Sequence, residues 1–492
     1  MLSKSKITRG LQCRKSLWLY KNQPELREVS DDLQTVFDTG TKVGILAQQK
    51  FPGGVDATEG HDWPNFECAD TTRYLVGIDQ KVIYEATFVF NKVLVAVDIL
   101  VKNEGGTWDA YEVKSTNSAK EPHIVDSAIQ YYVMTGCGLD IRSFSVMHFN
   151  KEYVRKGELD VKQLFMATDI TEEVVEWQEE MPEIVADLEA TQKQASCPEV
   201  EIGPHCSKPY PCDFAVHCWK LVPEYSVFNL GSANGRDWEL YDKGIMEIKD
   251  IPIEYSMGDN HRIQQMAEIT GKPHIMRDAI KLFLEELVYP IYHFDFETMM
   301  SAVPMYDNSR TYQQIPFQYS VHIQPNVGEK CEHLEFLPQV AVGVDSPDPR
   351  EELLVQMLVD LGTQGSIMAY HASFEISRIK ELARDFPKYA EPLLDLNKRM
   401  VDLEIPFRRR WYTTKEMQGR SSIKKVLPAL VPELSYSDLE IQEGGTASST
   451  YLAMHRGLYE GDYAKTRQDL LDYCKLDTFA MVQVLAVLYG VE

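Results

Sequence analysis

Asp98, Glu112 and Lys114 stand where acids and a cation interrupt otherwise apolar sequence. The run Val93-Leu-Val-Ala-Val-Asp98-Ile-Leu-Val101 places one acid inside a β-branched segment. A Gly105-Gly106 turn follows, then Asp109-Ala-Tyr-Glu112-Val-Lys114-Ser-Thr116. Glu112 and Lys114 are two apart, so on a strand they share a face. An acid in a buried strand is costly unless a metal or a partner holds it. Asp98 and Glu112 on neighbouring strands, with Lys114 beside them, would hold Mg²⁺ or Mn²⁺ next to a cation. Such a site suits phosphodiesters, because a hard ion on oxygen ligands polarises phosphate and activates water.

A second set lies downstream. Asp295 and Glu297, in Ile291-Tyr-His-Phe-Asp295-Phe-Glu297, share one face of a strand. His371-Ala-Ser-Phe374-Glu375 opens a helix after an apolar strand. Tyr473 and Asp477 are four apart on a long helix and so share a face. Asp402 is a further acid that could approach this site. A third set is made of thiols. Cys206, Cys212 and Cys218 recur at five-residue gaps among prolines, a spacing for neither helix nor strand but for a loop around a metal. Zinc knuckles favour closer pairs. An Fe–S cluster held by four thiolates fits the gaps better, with Cys13 as fourth ligand. Cys197 and His205 are possible substitutes.

The elements that must position these residues follow from periodicity. Val82 to Phe90 alternates as a strand and leads into the Val93–Thr116 hairpin. His123 to Met134 reads as a helix carrying Asp126 and Gln130, and residues 143–150 as another strand. Lys6 to Tyr20 and Phe37 to Phe51 read as amphipathic helices, and Thr171 to Gln194 as one long acidic helix bent at Pro182. Residues 222–288 show helices without evident chemistry and read as a connector. Ile291 to Phe296, Gln314 to Ile323 and Cys331 to Leu337 form a meander. The helix Arg350–Leu361 and the strand Ser366–Tyr370 follow. Gly419-Arg420-Ser-Ser422-Ile-Lys424 reads as a capped helix start, suited to a phosphate or simply capped.

Asp, then Glu-x-Lys after a hairpin, resembles the core of the PD-(D/E)XK nucleases, and the surrounding residues resemble their RecB-like branch. That resemblance implies Glu85 as a third acid and Gln130 as a strand-orienting residue. The family's tyrosine four residues later is Met134 here, with Tyr131 and Tyr132 nearby. One cysteine before the core and three after it resembles the 4Fe-4S-stapled members, although their closer cysteine spacing differs. Asp295-x-Glu297, the His371 element and Tyr473-x-x-x-Asp477 resemble the tyrosine-type DnaQ-like 3′→5′ exonucleases, with Glu375 where those usually carry Asp. This implies Asp295, Glu297, Glu375 and Asp477 as metal ligands and Tyr473 as the residue that positions water. The chain as a whole is similar to bacterial and archaeal proteins that fuse the two domains. The expectation is an α/β chain: a restriction-endonuclease-like domain at 1–221, a helical connector at 222–288 and an RNase H-like domain at 289–492. Its activity would be Mg²⁺- or Mn²⁺-dependent cleavage of DNA. RNA trimming, or nucleic-acid binding by relic sites, remains open.

Composition bounds these readings. The chain has 492 residues, 44% hydrophobic and 25% charged, and nine cysteines. No export signal or membrane-length apolar run is evident, so a cytoplasmic location with reduced thiols is expected. The net charge of −25 is unusual for a nucleic-acid binder, which makes local basic segments important. Residues 1–24 include Arg14 and Lys15 and no acid until Glu25 beyond them. Residues 405–425 are rich in Arg and Lys and include Arg420 and Lys424. With Ser422, these are the candidate phosphate contacts, or else ordinary solvated faces.

Overall fold

The computed structural model describes residues 1–28 and 31–491, and the backbone alone for 31–38. The fold is mixed α/β. The chain divides into two compact units, one of Met1–Leu221 with Ala302–Tyr312, the other of Val222–Ser301 with Gln313–Glu492. Residues 222–288, expected as a connector, thus lie in the second unit. Residues 302–312, from within the expected RNase H-like region, lie in the first.

The first unit is built on β1 (Leu2–Ser3), β2 (Val55–Asp56), β3 (Val82–Phe90), β4 (Val93–Lys102), β5 (Trp108–Val113), β6 (Ile141–Phe149) and β7 (Phe165–Asp169). Their order is β2-β3-β4-β5-β6-β7, with β1 added to β4. The hairpin β3–β4–β5 is antiparallel and β6 joins β5 in parallel. Alternation along β4 buries Val93, Val95, Val97 and Ile99. The helix Glu121–Gly136 covers one face, its Ile129, Val133 and Met134 fully buried in the core. Lys114 falls one residue past the end of β5.

Two helices differ from the periodicity reading. The N-terminal stretch is two helices, Lys4–Gln12 and Arg14–Asn22, rather than one. Cys13 separates them in an extended conformation: its N–H caps Arg9 O at 2.8 Å and its Sγ accepts Ser16 N–H at 3.5 Å. The apolar period runs on across a break made by a side-chain cap, with neither Gly nor Pro at the junction. The acidic stretch is also two helices, Thr171–Glu176 and Met181–Thr191. Pro182 opens the second, in the first turn where its missing N–H costs nothing.

The second unit carries β8 (His274–Ile275), β9 (Ile291–Met300), β10 (Gln314–Gln324), β11 (Glu332–Phe336), β12 (Ser366–Ala369), β13 (Met400–Asp402) and β14 (Tyr412–Thr413). Five form a sheet ordered β11-β10-β9-β12-β13. The pairs β11–β10 and β10–β9 are antiparallel, while β9–β12 and β12–β13 are parallel. The helices Arg350–Asp360 and Ser373–Asp385 bury Leu353, Met357, Ile379 and Leu382 in the core that covers this sheet. Among the described residues one helix, Tyr463–Val491, is long and apolar enough to cross a membrane by length and composition, where the sequence reading expected none. Half of its apolar window is buried inside the protein.

Candidate functional site

In the first unit, Glu85 lies in β3 between the register pairs Tyr84↔Ile99 and Ala86↔Val97, hence opposite Asp98. Its φ of +50° is left-handed backbone that non-glycine residues seldom adopt, so strain is stored at an acid. Burial, then Asp98, Asp56 and Glu112, pushes the Glu85 carboxyl up to about 8. Burial and then Glu112 push Asp98 up to about 7. Asp98 Oδ2 also accepts the Val113 N–H at 2.5 Å, which ties the acid to β5.

Glu112 is 2% exposed. Burial alone would raise its carboxyl, yet Lys114 and Lys4 hold it well below the ordinary range. Its Oε1 meets Lys114 Nζ at 2.9 Å and Lys4 Nζ at 2.6 Å. Gln130 Nε2 donates to Glu112 Oε2 at 2.5 Å, so this amide anchors the acid. Lys114 also pairs with Asp126 at 2.7 Å. Burial would favour the neutral amine, but Glu112 and Asp126 raise its pKa. These two acids favour its protonated form. The structure brings Glu85, Asp98, Glu112, Lys114 and Gln130 together. Lys4 and Asp56 were not foreseen. Lys4 was visible as part of a basic segment, whereas Asp56 gave no signal.

In the second unit, β9 directs Asp295 and Glu297 towards the helix that carries Tyr473 and Asp477. An open cavity of about 240 Å³ is lined by Asp295, Glu297, Glu375, Asp477, Tyr473 and Lys424, among others. Burial, then Asp477, holds Asp295 and Glu297 well above their ordinary values. Burial pushes Glu375 up to about 8 and Asp477 up to about 6. Tyr436, which sequence reasoning missed, donates its hydroxyl to Asp477 Oδ1 at 2.6 Å. Tyr473 is 4% exposed, and burial and then Asp477 raise its phenol. Glu375 Oε2 is buried without a partner. Asp402 is engaged elsewhere: its Oδ1 accepts the His371 and Glu404 N–H groups at 3.0 Å, and its Oδ2 pairs with Arg408 at 3.2 Å. Of the two alternatives, Glu375 faces the cavity. Among the described residues, three metal-ligating atoms come within 4.8 Å of one another only at Asp295, Glu297 and Cys474. Buried carboxylates so crowded either share protons or hold a divalent cation.

Cys13, Cys206, Cys212 and Cys218 line one small cavity whose walls include Val200, Ile202 and Phe214. Burial raises the thiols of Cys13 and Cys218. His205 and Lys15 line the same cavity, whereas Cys197 does not. Arg14 is paired with Asp187 at 2.7 Å. Lys15 thus faces the thiols and Arg14 a carboxylate. Ser422 caps the helix Ile423–Leu430 without a side-chain hydrogen bond. Lys424 lies 5.5 Å over the Tyr473 ring, and Arg420 lines a different cavity from the acids.

Parts of the chain are similar to proteins and a domain of unknown function. A domain of unknown function, DUF2779, matches residues 292–422, which include Asp295, Glu297 and Glu375. An uncharacterized protein of Mycoplasma pneumoniae, the MG366 homolog, is 31% identical over 209 residues, 39% of this chain and 31% of its own length. The uncharacterized protein MG366 of Mycoplasma genitalium is 26% identical over 210 residues, 39% and 31% of the two chains. The uncharacterized protein UU173 of Ureaplasma parvum is 26% identical over 229 residues, 43% and 32% of the two chains. The chain thus spans about a third of the length of the curated relatives it matches.

Proposed function

We propose that the protein is a metal-dependent nuclease acting on DNA, with a PD-(D/E)XK-type site in the first unit and a DnaQ-type site in the second. The observation that carries this reading is the convergence of four carboxylates, the buried Glu297, Glu375 and Asp477 and the half-buried Asp295, on one open cavity beside Tyr473. Like charges at such proximity are unfavourable alone, and the partnerless Glu375 Oε2 fits a position that a cation would satisfy.

In the second site Asp295, Glu297, Glu375 and Asp477 would hold Mg²⁺ or Mn²⁺. In the first, Glu85, Asp98 and Glu112 would do so. Ions held there would supply charge to the phosphoryl oxygens and lower the pKa of the attacking water. The protein's own groups do the rest. Tyr473 orients the nucleophile, and Tyr436 fixes the rotamer of Asp477. Lys114, kept protonated by Glu112 and Asp126, offers its charge to the developing phosphorane oxygens. Gln130 and Lys4 hold Glu112 in place.

Cys13, Cys206, Cys212 and Cys218 fit an Fe–S cluster, a donor set of four thiols in an apolar-walled cavity. A tetrahedral zinc site with 2.3 Å bonds would need thiols about 3.8 Å apart. No three of these thiols come within 4.8 Å of one another among the described residues. The cluster would staple the N-terminal helices to the loop after residue 200, fixing a long chain closure.

The test is digestion of end-labelled single- and double-stranded DNA and RNA with Mg²⁺ or Mn²⁺, by the unaltered protein, Lys114→Ala, Asp295→Ala and the double variant. Cleavage of DNA that survives in neither metal-free buffer nor the double variant is expected. Preference for RNA would move the substrate, and full activity in the double variant would remove both assignments.

A further inference from the structure

The second unit contains a larger cavity, about 690 Å³, which the acidic site does not use. Three loop segments build it, around residues 231–236, 258–261 and 408–421. Arg236, Arg408, Arg410 and Arg420 stand on its wall, against Asp259 as the carboxylate there. In a chain with net charge −25, four arginines around one concavity oppose the global trend. They make a local anion site.

The arginines are not spent on one another's neighbours. Arg408 is paired with Glu404 and Asp402, at 3.0 and 3.2 Å, and is accounted for. Arg236 donates to the Ala233 carbonyl at 3.3 Å. Arg420 is exposed, and no side-chain partner is found for it among the described residues. Arg410 is the informative one. It is 7% exposed and its guanidinium donates to the Gly419 carbonyl at 2.6 Å, with no ion pair among the described residues. Its backbone is left-handed, φ +59°. A buried guanidinium without a counter-charge is a costly arrangement that an anion would relieve.

A Cβ on Gly231 would stand 3.4 Å from Arg410 Nη2, and one on Gly419 would run into Gln264. His261, also 7% exposed, lines the cavity. Its Nε2 donates to the Gly231 carbonyl at 2.6 Å, and its Nδ1 is buried without a partner. A carbonyl acceptor fixes the hydrogen on Nε2, so Nδ1 of the neutral ring is an acceptor and would meet a phosphate only through a bridging water. Charge and spare donors suit a phosphate, which takes several charge-assisted hydrogen bonds and matches the planar fork of arginine.

The cavity shares a wall with the acidic one. Tyr370 lines the acidic cavity and donates its hydroxyl to the carbonyl of Ser421, which lines the arginine cavity, at 2.5 Å. Three residues on, Lys424 returns to the acidic cavity, a backbone span of at most about 11 Å. We propose that the arginine cavity binds a backbone phosphate of the same nucleic-acid strand whose end enters the acidic cavity, and so sets the strand's register there. This rests on reading the acidic cavity as a nuclease site.

The experiment uses the full chain with Asp295→Ala, to prevent cleavage, and a fluorescein-labelled single-stranded oligonucleotide followed by anisotropy across a salt series. Arg236→Gln and Arg420→Gln avoid the buried Arg410, whose loss could unfold the segment. Together they should weaken binding by roughly tenfold and reduce the slope of log affinity against log salt by about 0.7, the contribution of one phosphate. A single neutral methylphosphonate walked from the 3′ end should cost affinity at one position in the parent and at none in the arginine variant. Unchanged affinity and slope would overturn the proposal while leaving nuclease activity, read separately in the protein with Asp295 intact, untouched. Competition by inorganic phosphate with no effect of the methylphosphonate would assign the cavity to a free anion and overturn the strand assignment. Binding lost in the arginine variants, with no metal-dependent cleavage by the unaltered protein, would remove the nuclease reading and with it the register role.

Discussion

In the first unit, one buried carboxylate, Glu112, meets two ammonium groups within 2.9 Å, and a third partner, Gln130, donates to its other oxygen. In the second unit, four carboxylates crowd one cavity with Lys424 on its rim. The signs follow. Glu112 is held well below its ordinary pKa, whereas Asp295, Glu297, Glu375 and Asp477 are all held above theirs. Within the first cluster Glu112 alone is neutralised in advance by the protein, while Glu85 and Asp98, like the four acids of the second, are left for something else to neutralise. That is the distinction expected between a site that pairs a metal with a lysine and one that depends on metal alone.

The largest effect that could break this comparison is on turnover. Asp295→Ala should reduce cleavage by the second site about 10³-fold while sparing the first, and Lys114→Ala the reverse, in order of magnitude like the loss of one transition-state contact. Single-turnover digestion of labelled DNA reads both. If either variant silences both activities, the clusters are not independent.

Next in size is the staple. Cys212→Ala should bleach an anaerobic preparation near roughly 400 nm and lower the melting temperature of the first unit by about 10 °C, since metal binding is folding free energy. Metal analysis that returns zinc would replace the cluster while keeping the staple.

The electrostatic contrast predicts opposite pH slopes in metal-free protein. Glu375, at about 8, and Asp477, at about 6, are raised, so the folded state binds more protons than the unfolded one above the ordinary carboxylate pKa of about 4. Their contribution to stability falls as pH rises through that window. Glu112 is depressed, so its contribution is present above about 4 and lost as pH falls. EDTA-treated protein should therefore melt at lower temperature near about pH 8 than near about pH 5.5, Glu375→Gln should flatten that decline, and Mg²⁺ should reverse it. A decline that Glu375→Gln leaves intact would locate the crowding elsewhere.

The smallest effect sharpens the Glu375 assignment. Glu375→Asp should shift the Mg²⁺/Mn²⁺ preference of the second activity severalfold, whereas an inert surface acid would change stability by no more than about 0.5 kcal/mol. Asp402→Ala, which loses the acceptor for the His371 and Glu404 N–H groups, should affect stability rather than metal preference. A reversed pattern would transfer the ligand role to Asp402.

Much of this was legible in one dimension. The strands that carry Glu85, Asp98, Glu112, Asp295 and Glu297 announce themselves by alternation, and Tyr473 and Asp477 by helical spacing. What was hidden depends on chain returns. Lys4 reaches Glu112 across 108 residues, Asp56 approaches Glu85 through a two-residue strand, and Tyr436 finds Asp477 from a short turn of 3₁₀ helix. No local pattern marks any of these. The break at Cys13 was hidden for another reason, since a thiol cap leaves the apolar period intact. The arginine cavity combines residues from 231 to 421, and only its last segment stood out as basic.

The segment Ala302–Tyr312, borrowed by the first unit from the β9–β10 connection, bears on how the chain is made. Ala302 and Tyr312 join the apolar cluster with Met147 and Phe149. Tyr312 donates to the Ser115 carbonyl, and Thr311 to Asn117 Oδ1 at 3.1 Å. These contacts brace the loop that follows Lys114. During synthesis, residues 1–221 emerge first but lack this brace until residue 312 has left the ribosome, after β9 with Asp295 and Glu297. The first unit's lysine loop is thus completed only once the second unit's acid strand exists, and a fragment ending at residue 221 would carry every acid of the first cluster on its strands beside an unbraced lysine loop.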